Sequence, residues 1–337
     1  MPATATSPRP FLRILAALAL TVMLPGGASA VDDRDLIVRK FALDPYQPKR
    51  TGFGRLVWRG GVVIRHPDDR FGGLSGLHVS RDGKTMTAVT DRGDWVTATL
   101  QYAEGRLAGL SNLSISPIYG ADGRAVGGQS GDAESIAPDG DGGFFIAFER
   151  RHRISRYAGG DNGEWLRATP TETFAPKAKW RLPTNGGYEG LTRLCDGRLL
   201  AIAEMRKPRA EVVRAWLRHG GEWKRLYYSA DGSFLPTGMA TLPDCSVLVL
   251  ERRFNLADGL GIRLMRVSAD AVRAGATLRG TEIARLETPL TIDNMEGIAA
   301  RRGDAGETIL YLVSDDNFSP LQRTLLLMFE LRKDAKS

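Results

Sequence analysis

Short apolar runs, each bounded by turns rich in Asp and Gly, dominate the chain from about residue 74 to residue 331. The clearest runs lie at residues 85–90, 144–148, 199–203, 247–250 and 309–313. Apolar runs of this length with turn signals on both sides are typical of buried β-strands and too short for helices. The pattern therefore predicts an all-β protein.

One unit recurs five times, and its central residues are Gly76, Ser135, Gly190, Gly238 and Gly297. Each copy has a first strand, a turn, a second strand that ends on an acidic residue, and a third strand-like run. The intervals between the central residues are 59, 55, 48 and 59 residues. A four-stranded propeller blade needs roughly 40 to 50 residues plus loops. The repeat predicts a β-propeller with five detectable blades of four-stranded antiparallel sheets.

The segment at residues 55–65 resembles a hairpin but lacks the repeated motif. It is either a degenerate sixth blade or an N-terminal strand that pairs with the C-terminal strands at residues 324–331. Pairing of that kind closes the ring and removes the exposed sheet edges.

Acidic residues fall at two positions of the repeat, the start of the first strand and the end of the second. These two positions are neighbours in an antiparallel hairpin, so we expect the acids on one face of the propeller, near the channel mouth. Arginines accompany them. The acids are Asp91, Glu134, Glu149, Glu189, Glu204, Glu251, Glu296 and Asp315, and the arginines are Arg92, Arg150, Arg206 and Arg252.

So many neighbouring carboxylates repel one another unless cations share the space. Calcium takes six to eight oxygen ligands, which this ring supplies, and Asp315, Asp316 and Asn317 form its densest cluster. Arginines beside a metal suit a phosphate. In the alternative interpretation the acids are structural and bind backbone N–H groups or arginines. Ser75 and Thr237 replace the glutamate in two copies, which favours a binding site.

The N-terminus has the pattern of a secretory signal peptide. Arg9 and Arg13 precede an apolar run at residues 14–24, and small residues follow it up to Ala30. We expect a signal peptide at residues 1–30, an N-terminal extension at 31–52, a propeller at 53–332 and a tail at 333–337. The mature protein is then periplasmic or secreted, monomeric and without membrane insertion.

The formal net charge of +7 is spread along the chain, with no basic run among aromatic residues, which excludes a nucleic-acid partner. We expect a small anionic or ester substrate instead. Cys195 and Cys245 fall in the turns of adjacent copies, away from the acids. In an oxidising compartment they form either a disulfide or a pair of buried thiols.

The motifs Gly-Leu-Ser-Gly-Leu, Asp-Ala-Glu-Ser-Ile-Ala, Tyr-Glu-Gly-Leu, Pro-Thr-Gly-Met and Asn-Met-Glu-Gly-Ile, at residues 73–298, resemble the phytase-like family, also called esterase-like activity of phytase. The resemblance implies an exported propeller that hydrolyses phosphate or other esters. It implies calcium binding and positioning of a water by Asp91, Glu134, Glu189, Glu296, Asp315 and Asp316. Within that set we expect Asp91, Glu189 and Glu296 to be the catalytic residues. It also implies that Arg92, Arg150 and Arg252 hold phosphate. The chain lacks the dense lysine cluster that myo-inositol hexakisphosphate would favour.

Three functions follow from this reading. The first is a calcium-dependent hydrolase of phosphoric esters, with Arg206 as a fourth arginine for the substrate. The second is a propeller lactonase or carboxylic esterase. The third is a non-catalytic binding or scaffold propeller whose acids are structural.

Overall fold

The computed structural model describes residues 1, 29–30, 35–160, 163–174, 182–184, 186–206, 211–230 and 233–333, with the side chains of residues 29, 30, 205 and 206 left undescribed. Its elements are almost entirely β-strands, and the described strands form five antiparallel sheets arranged as a five-bladed propeller. The predicted fold class is confirmed. Most of the predicted signal peptide lies outside the described residues, so it stays a prediction.

The strands before the first repeat are β1 (Ser29–Ala30), β2 (Ile37–Lys40), β3 (Gly52–Phe53) and β4 (Leu56–Arg65). Blade 1 contains β5 (Leu74–Val79), β6 (Thr85–Thr90), β7 (Asp94–Ala103) and β8 (Arg106–Pro117), with β1 at its outer edge. Blade 2 contains β9 (Ala133–Pro138), β10 (Phe144–Phe148), β11 (Arg153–Tyr157) and β12 (Glu172–Phe174).

Blade 3 contains β13 (Gly190–Arg193), β14 (Leu199–Arg206), β15 (Val212–His219) and β16 (Glu222–Ser229), and β20 (Thr277–Leu278) joins its edge. Blade 4 contains β17 (Leu235–Thr241), β18 (Val247–Asn255), β19 (Gly259–Val267) and β21 (Thr281–Glu287). Blade 5 begins with β22 (Asn294–Arg302), β23 (Thr308–Asp315) and β24 (Thr324–Leu331).

Blade 5 closes the ring by combining the two ends of the chain. Strand β4 pairs antiparallel with β24, and β2 pairs with the other edge of β4. The hairpin-like segment at residues 55–65 is therefore the closing strand and not a sixth blade. Strand β2 lies within residues 31–52, so part of the expected N-terminal extension belongs to this blade.

Buried apolar side chains of the described residues form five clusters, one at each interface between neighbouring blades. Each blade is thus covered on both faces, which is why its central strands are continuously apolar and do not alternate with polar residues. Trp95 shows the packing at the interface of blades 1 and 2. It is 1% exposed and its ring meets those of Phe144, Tyr157 and Trp165.

The central glycines of the repeat mark the places where neighbouring inner strands meet. The inner strands β5, β9, β13, β17 and β22 contact one another in that order around the channel, and β22 returns to β5. A methyl group on Gly76 would lie 2.7 Å from the backbone nitrogen of Ile136 in the next blade. One on Gly238 would lie 2.9 Å from the carbonyl oxygen of Glu296. The repeated motif therefore serves blade packing as well as the mouth.

Replacing Gly76 with alanine is expected to lower the free energy of unfolding by about 2 to 4 kcal/mol. The residue has φ +53°, which disfavours a side chain, and the new methyl group would press on a backbone that has no room to move. Gly105 is the matched control because it has φ +68° with no atom within 4 Å of the methyl position. Urea unfolding of both variants measures the difference, and equal losses would contradict the packing argument.

A disulfide joins Cys195 to Cys245. It links the turn of blade 3 to the turn of blade 4, at the end of the channel opposite the acidic residues. Within the part of the chain that the structure describes, no helix is long and apolar enough to cross a membrane.

Candidate active site at the acidic mouth of the channel

Local irregularities in the inner strands place the acidic side chains at the mouth. In blades 2, 4 and 5 the pairing register of the first strand skips one residue, at Glu134, Thr237 and Glu296 respectively. A β-bulge of this kind re-aims the extra side chain, and bulges concentrate beside active sites. In blade 1 the skipped residue is Gly76, one place later, so Ser75 keeps its regular pairing.

Three carboxylates of blade 2 form the tightest cluster. One oxygen each of Asp132, Glu134 and Glu149 lie within 4.8 Å of one another. Glu149 also accepts hydrogen bonds from the backbone nitrogens of Gly186 and Gly187, the latter at 2.9 Å. The loop before blade 3 thereby holds one member of the cluster in place.

A second group centres on Arg252, which follows the second strand of blade 4. Its Nη2 lies 3.5 Å from Oε1 of Glu204 and 3.2 Å from Oε1 of Glu296. Its Nε is buried and has no hydrogen-bond partner among the described residues. Glu189 lies close enough for the charges of both glutamates and of Arg252 to shift its pKa. One guanidinium, from blade 4, thus interacts with three carboxylates of blades 3 and 5 and keeps a donor free.

The third group joins blades 1 and 5. Asp315 accepts hydrogen bonds from Asn294 Nδ2 at 3.3 Å and from the backbone nitrogen of Asn317 at 2.6 Å. Asp91 lies nearby, and its buried Oδ1 has no hydrogen-bond partner among the described residues. The buried Oδ1 of Asn294 is equally without one there. Two oxygen acceptors are therefore left open inside the mouth.

Burial and mutual repulsion raise the pKa values of these carboxyls. Desolvation raises the pKa of Glu296 to about 8 against the attraction of Arg252, that of Asp315 to about 7 and that of Asp91 to about 6. The pKa of Glu134 and that of Glu189 are raised well above the usual value, first by burial and then by neighbouring carboxylates. Protons or cations must therefore share this space.

Some of the expected ligands face elsewhere. Both carboxylate oxygens of Glu251 are engaged inside the blades, one by the hydroxyl of Tyr228 at 2.8 Å and the other by the guanidinium of Arg263. The residue is 0% exposed, so Glu251 forms a structural ion pair and its carboxylate does not lie in the mouth. Its strand position resembles that of the other acids, but its side chain points into the blade interface.

Asp316 also has a structural role in this arrangement. Its Oδ1 accepts hydrogen bonds from the backbone nitrogens of Gly73 and Phe318, at 3.0 and 3.1 Å. Its Oδ2 accepts a hydrogen bond from the hydroxyl of Thr324. Asn317 is exposed and contributes its backbone nitrogen to Asp315. The cluster expected from residues 315–317 thus brings a single carboxylate, that of Asp315, to the mouth.

The expected arginines divide into three cases. Arg252 lies in the mouth, and Arg150 pairs with Asp132 at 2.6 Å. Arg92 lies at the rim, stacked 3.4 Å from the ring centre of Phe318 and bonded to the carbonyl oxygen of Asp69. The side chain of Arg206 lies outside the described residues.

Asp132 and Asn294 are members of the mouth that the repeat analysis did not select. Each lies two residues before a first-strand glutamate, Asp132 before Glu134 and Asn294 before Glu296. That shared spacing is the signal that points to them. Among the described residues, the mouth thus collects eight carboxyls, on Asp91, Asp132, Glu134, Glu149, Glu189, Glu204, Glu296 and Asp315.

The metal-free protein is expected to become less stable as the pH rises from about 5 to 8. A carboxyl whose folded pKa is raised adds stability below the unfolded value near 4, and this is lost as the pH rises through the folded value. Those values are about 6 for Asp91, 7 for Asp315 and 8 for Glu296. Melting temperatures measured in metal-free buffers across this range test the expectation.

Glu296→Gln is the matched variant for this measurement because its amide cannot ionise. Its melting temperature is expected to fall less than that of the wild type between pH 7 and 8, since the Glu296 contribution is gone. Parallel curves for the two proteins would show that Glu296 does not titrate in this range.

The fold and the mouth define the protein as a five-bladed β-propeller whose channel opens on a carboxylate-rich site. The model of the phytase-like family, described as esterase-like activity of phytase, matches residues 69–318. The chain belongs to this family, and the family match together with the fold supports a propeller of the hydrolase type.

The solved structures that resemble this chain include three with 12% to 15% sequence identity. The α-L-arabinofuranosidase of Podospora anserina has a TM-score of 0.52 and 12% identity, over 82% of this chain and 97% of that chain. A gluconolactonase of Xanthomonas campestris has a TM-score of 0.42 and 13% identity, over 91% of this chain and 99% of that chain. A Dyadobacter fermentans protein of unknown function has a TM-score of 0.44 and 15% identity, over 88% of this chain and 91% of that chain. The likeness to the arabinofuranosidase supports the propeller fold and says nothing of the function of this chain. No curated protein matches the chain.

The residues of the mouth fit a calcium ion. Calcium prefers carboxylate and amide oxygens and takes six to eight of them. The cluster of Asp132, Glu134 and Glu149 offers three within a short distance, and Asp91 and Asn294 each offer a buried oxygen without a partner among the described residues. An ion there would also offset the repulsion that raises the carboxyl pKa values.

Proposed function

We propose that the protein is an exported, calcium-dependent hydrolase of phosphoric esters that acts at the acidic mouth. The observation that carries the proposal is the convergence of one oxygen each of Asp132, Glu134 and Glu149, in a mouth that also holds the unpartnered buried oxygens of Asp91 and Asn294. Calcium bound among them would supply positive charge that attracts the oxygens of a phosphate group. Membership of the phytase-like family supports ester hydrolysis as the reaction class.

Arg252 is the residue of this chain best placed to bind the phosphate. It is anchored to Glu204 and Glu296, and its buried Nε keeps a free donor. A guanidinium fixed in this way donates to an anionic oxygen without losing side-chain entropy on binding. Arg150, held by Asp132, is the second cation at the mouth. Arg92, over Phe318, lies where a larger substrate would extend across the rim.

Glu189 and Glu296 are the candidates for proton transfer. In hydrolysis a water oxygen bonds to phosphorus, the ester P–O bond breaks, and a proton passes from the water to the departing alcohol. A carboxylate within hydrogen-bond reach of the water accepts that proton and then returns it. Both glutamates share the mouth with Arg252, which stabilises their charged forms.

The test combines metal binding with turnover. The purified protein is stripped of metal on a chelating resin and titrated with calcium, and hydrolysis is measured on a panel of phosphate monoesters, phosphate diesters and lactones. We expect calcium binding, and calcium-dependent release of phosphate that chelation abolishes. Turnover of lactones alone would replace the phosphoric ester by a carboxylic one, and calcium binding without any turnover would leave a binding protein.

A further inference from the structure

The channel has a second opening whose charge is opposite to that of the first. The far ends of all five inner strands line a cavity of about 530 Å³, here called the lower cavity. Its basic residues are Arg81, Arg193, Arg301, Arg302 and His78, and no Asp or Glu occurs among the described residues that line it. The described residues that line the two ends of the channel therefore carry opposite charges.

An apolar layer separates the two openings. Along each inner strand the mouth residue comes first, a buried apolar residue follows the central position and lines the inner end of the lower cavity, and the remaining cavity residues come after it. The apolar residues are at most 4% exposed and belong to the five interfaces between blades; they are Leu77, Ile136, Leu191, Met239 and Ile298. A ligand in the lower cavity would thus occupy a site separate from the acidic mouth.

The arginines of the lower cavity differ from the other arginines on the same face. Arg156 pairs with the turn residue Asp139 at 2.9 Å, and Arg198 pairs with Asp196 at 2.7 Å. Arg266 pairs in the same way with the turn residue Asp244. In contrast, none of the four cavity arginines has an ion pair with a carboxylate in the described parts of the chain. Asp82 attracts Arg301 only from beyond ion-pair distance, so the four guanidinium groups can still pair with a ligand.

Two of these arginines bridge neighbouring blades at the cavity rim. The guanidinium of Arg193 lies against Gly140 in the turn of blade 2, and that of Arg301 lies against Gly83 in the turn of blade 1. The hydroxyl of Tyr311 accepts a hydrogen bond from Arg301 at 3.2 Å and helps to fix it. Desolvation and Arg81 lower the pKa of His78 to about 4, so this ring is neutral and the arginines carry the charge.

We propose that the lower cavity binds a small, multiply charged oxyanion of the phosphate or carboxylate type, independently of the acidic mouth. Guanidinium groups match such oxygens with paired donors, and a partly enclosed cavity of one sign concentrates the counter-ion. Several like charges around one space repel, and an anion relieves that repulsion. The volume suits a compact ligand and not a polymer.

Calorimetric titration of the metal-free protein tests the proposal, with inorganic pyrophosphate in one arm and citrate in the other. Metal is removed on a resin because a soluble chelator is itself a polyanion. We expect saturable binding of one ligand per chain that weakens as salt is added. Binding of pyrophosphate alone assigns the phosphate class, and binding of citrate alone assigns the carboxylate class.

Arg193→Gln and Arg81→Gln are each expected to weaken binding roughly tenfold, which corresponds to about 1.4 kcal/mol. Arg266→Gln is the matched control, since it removes a paired arginine from the same face, and Glu134→Gln is the control for the other opening. Melting curves show that each variant is folded. Absence of saturable binding, or equal weakening by either control, would overturn the proposal.

Discussion

Replacing Glu134 with glutamine is expected to remove calcium binding and to reduce turnover by on the order of 100-fold or more. Glu134 contributes one of the three clustered oxygens, and four neighbouring carboxylates raise its pKa, those of Glu189, Asp132, Glu296 and Asp91. The amide keeps the shape of the side chain but cannot supply a charged ligand. Asp132→Asn is expected to act in the same direction, and it also leaves Arg150 without its ion-pair partner.

The stability of the metal-free protein separates a ligand role from a structural one. Because Glu134 is half-buried among like charges, Glu134→Gln is expected to raise the melting temperature of the metal-free protein while it abolishes the stabilisation by calcium. A structural acid would show the reverse. Unchanged calcium affinity in both variants would remove this cluster from the proposed site.

Two other acidic residues provide the controls. Glu251→Gln breaks the buried pair with Arg263 and is expected to cost about 3 to 5 kcal/mol of stability while calcium affinity is kept. Glu282→Gln changes an exposed acid that pairs with Arg285 at the outer edge of blade 4, and it is expected to leave both properties unchanged.

The sequence predicts the fold well because the information that defines a blade is local. Turn residues and apolar runs mark each hairpin, and the spacing of the repeats marks the blade. Ring closure remained open between two alternatives, since the pairing of β4 with β24 joins residues about 270 positions apart. Nothing in residues 55–65 themselves records which partner they choose.

The candidate site is less predictable because it depends on side-chain direction. A bulge at Glu134 or Glu296 turns a side chain towards the mouth, and bulges leave no pattern in one sequence. Glu251 occupies the same place in its repeat as Glu204, yet it turns into the blade towards Arg263 and Tyr228. Position in the repeat thus predicts the face of the propeller, whereas packing with the next blade decides which acids reach the channel.

Replacing both Cys195 and Cys245 with serine is expected to lower the free energy of unfolding by about 4 kcal/mol. The disulfide closes a loop with a sequence separation of 50 residues, and the lost loop-closure entropy of the unfolded chain gives this magnitude. Serine is preferred to glycine because Cys245 has φ +68°, where glycine would add stability of its own.

Urea unfolding of the wild type and the double variant, each with and without reductant, measures the loss. Reductant is expected to destabilise the wild type and leave the variant unchanged, and calcium affinity is expected to be the same in both proteins because the bond lies at the lower end of the channel. Two titratable thiols in the wild type purified without reductant would contradict the prediction.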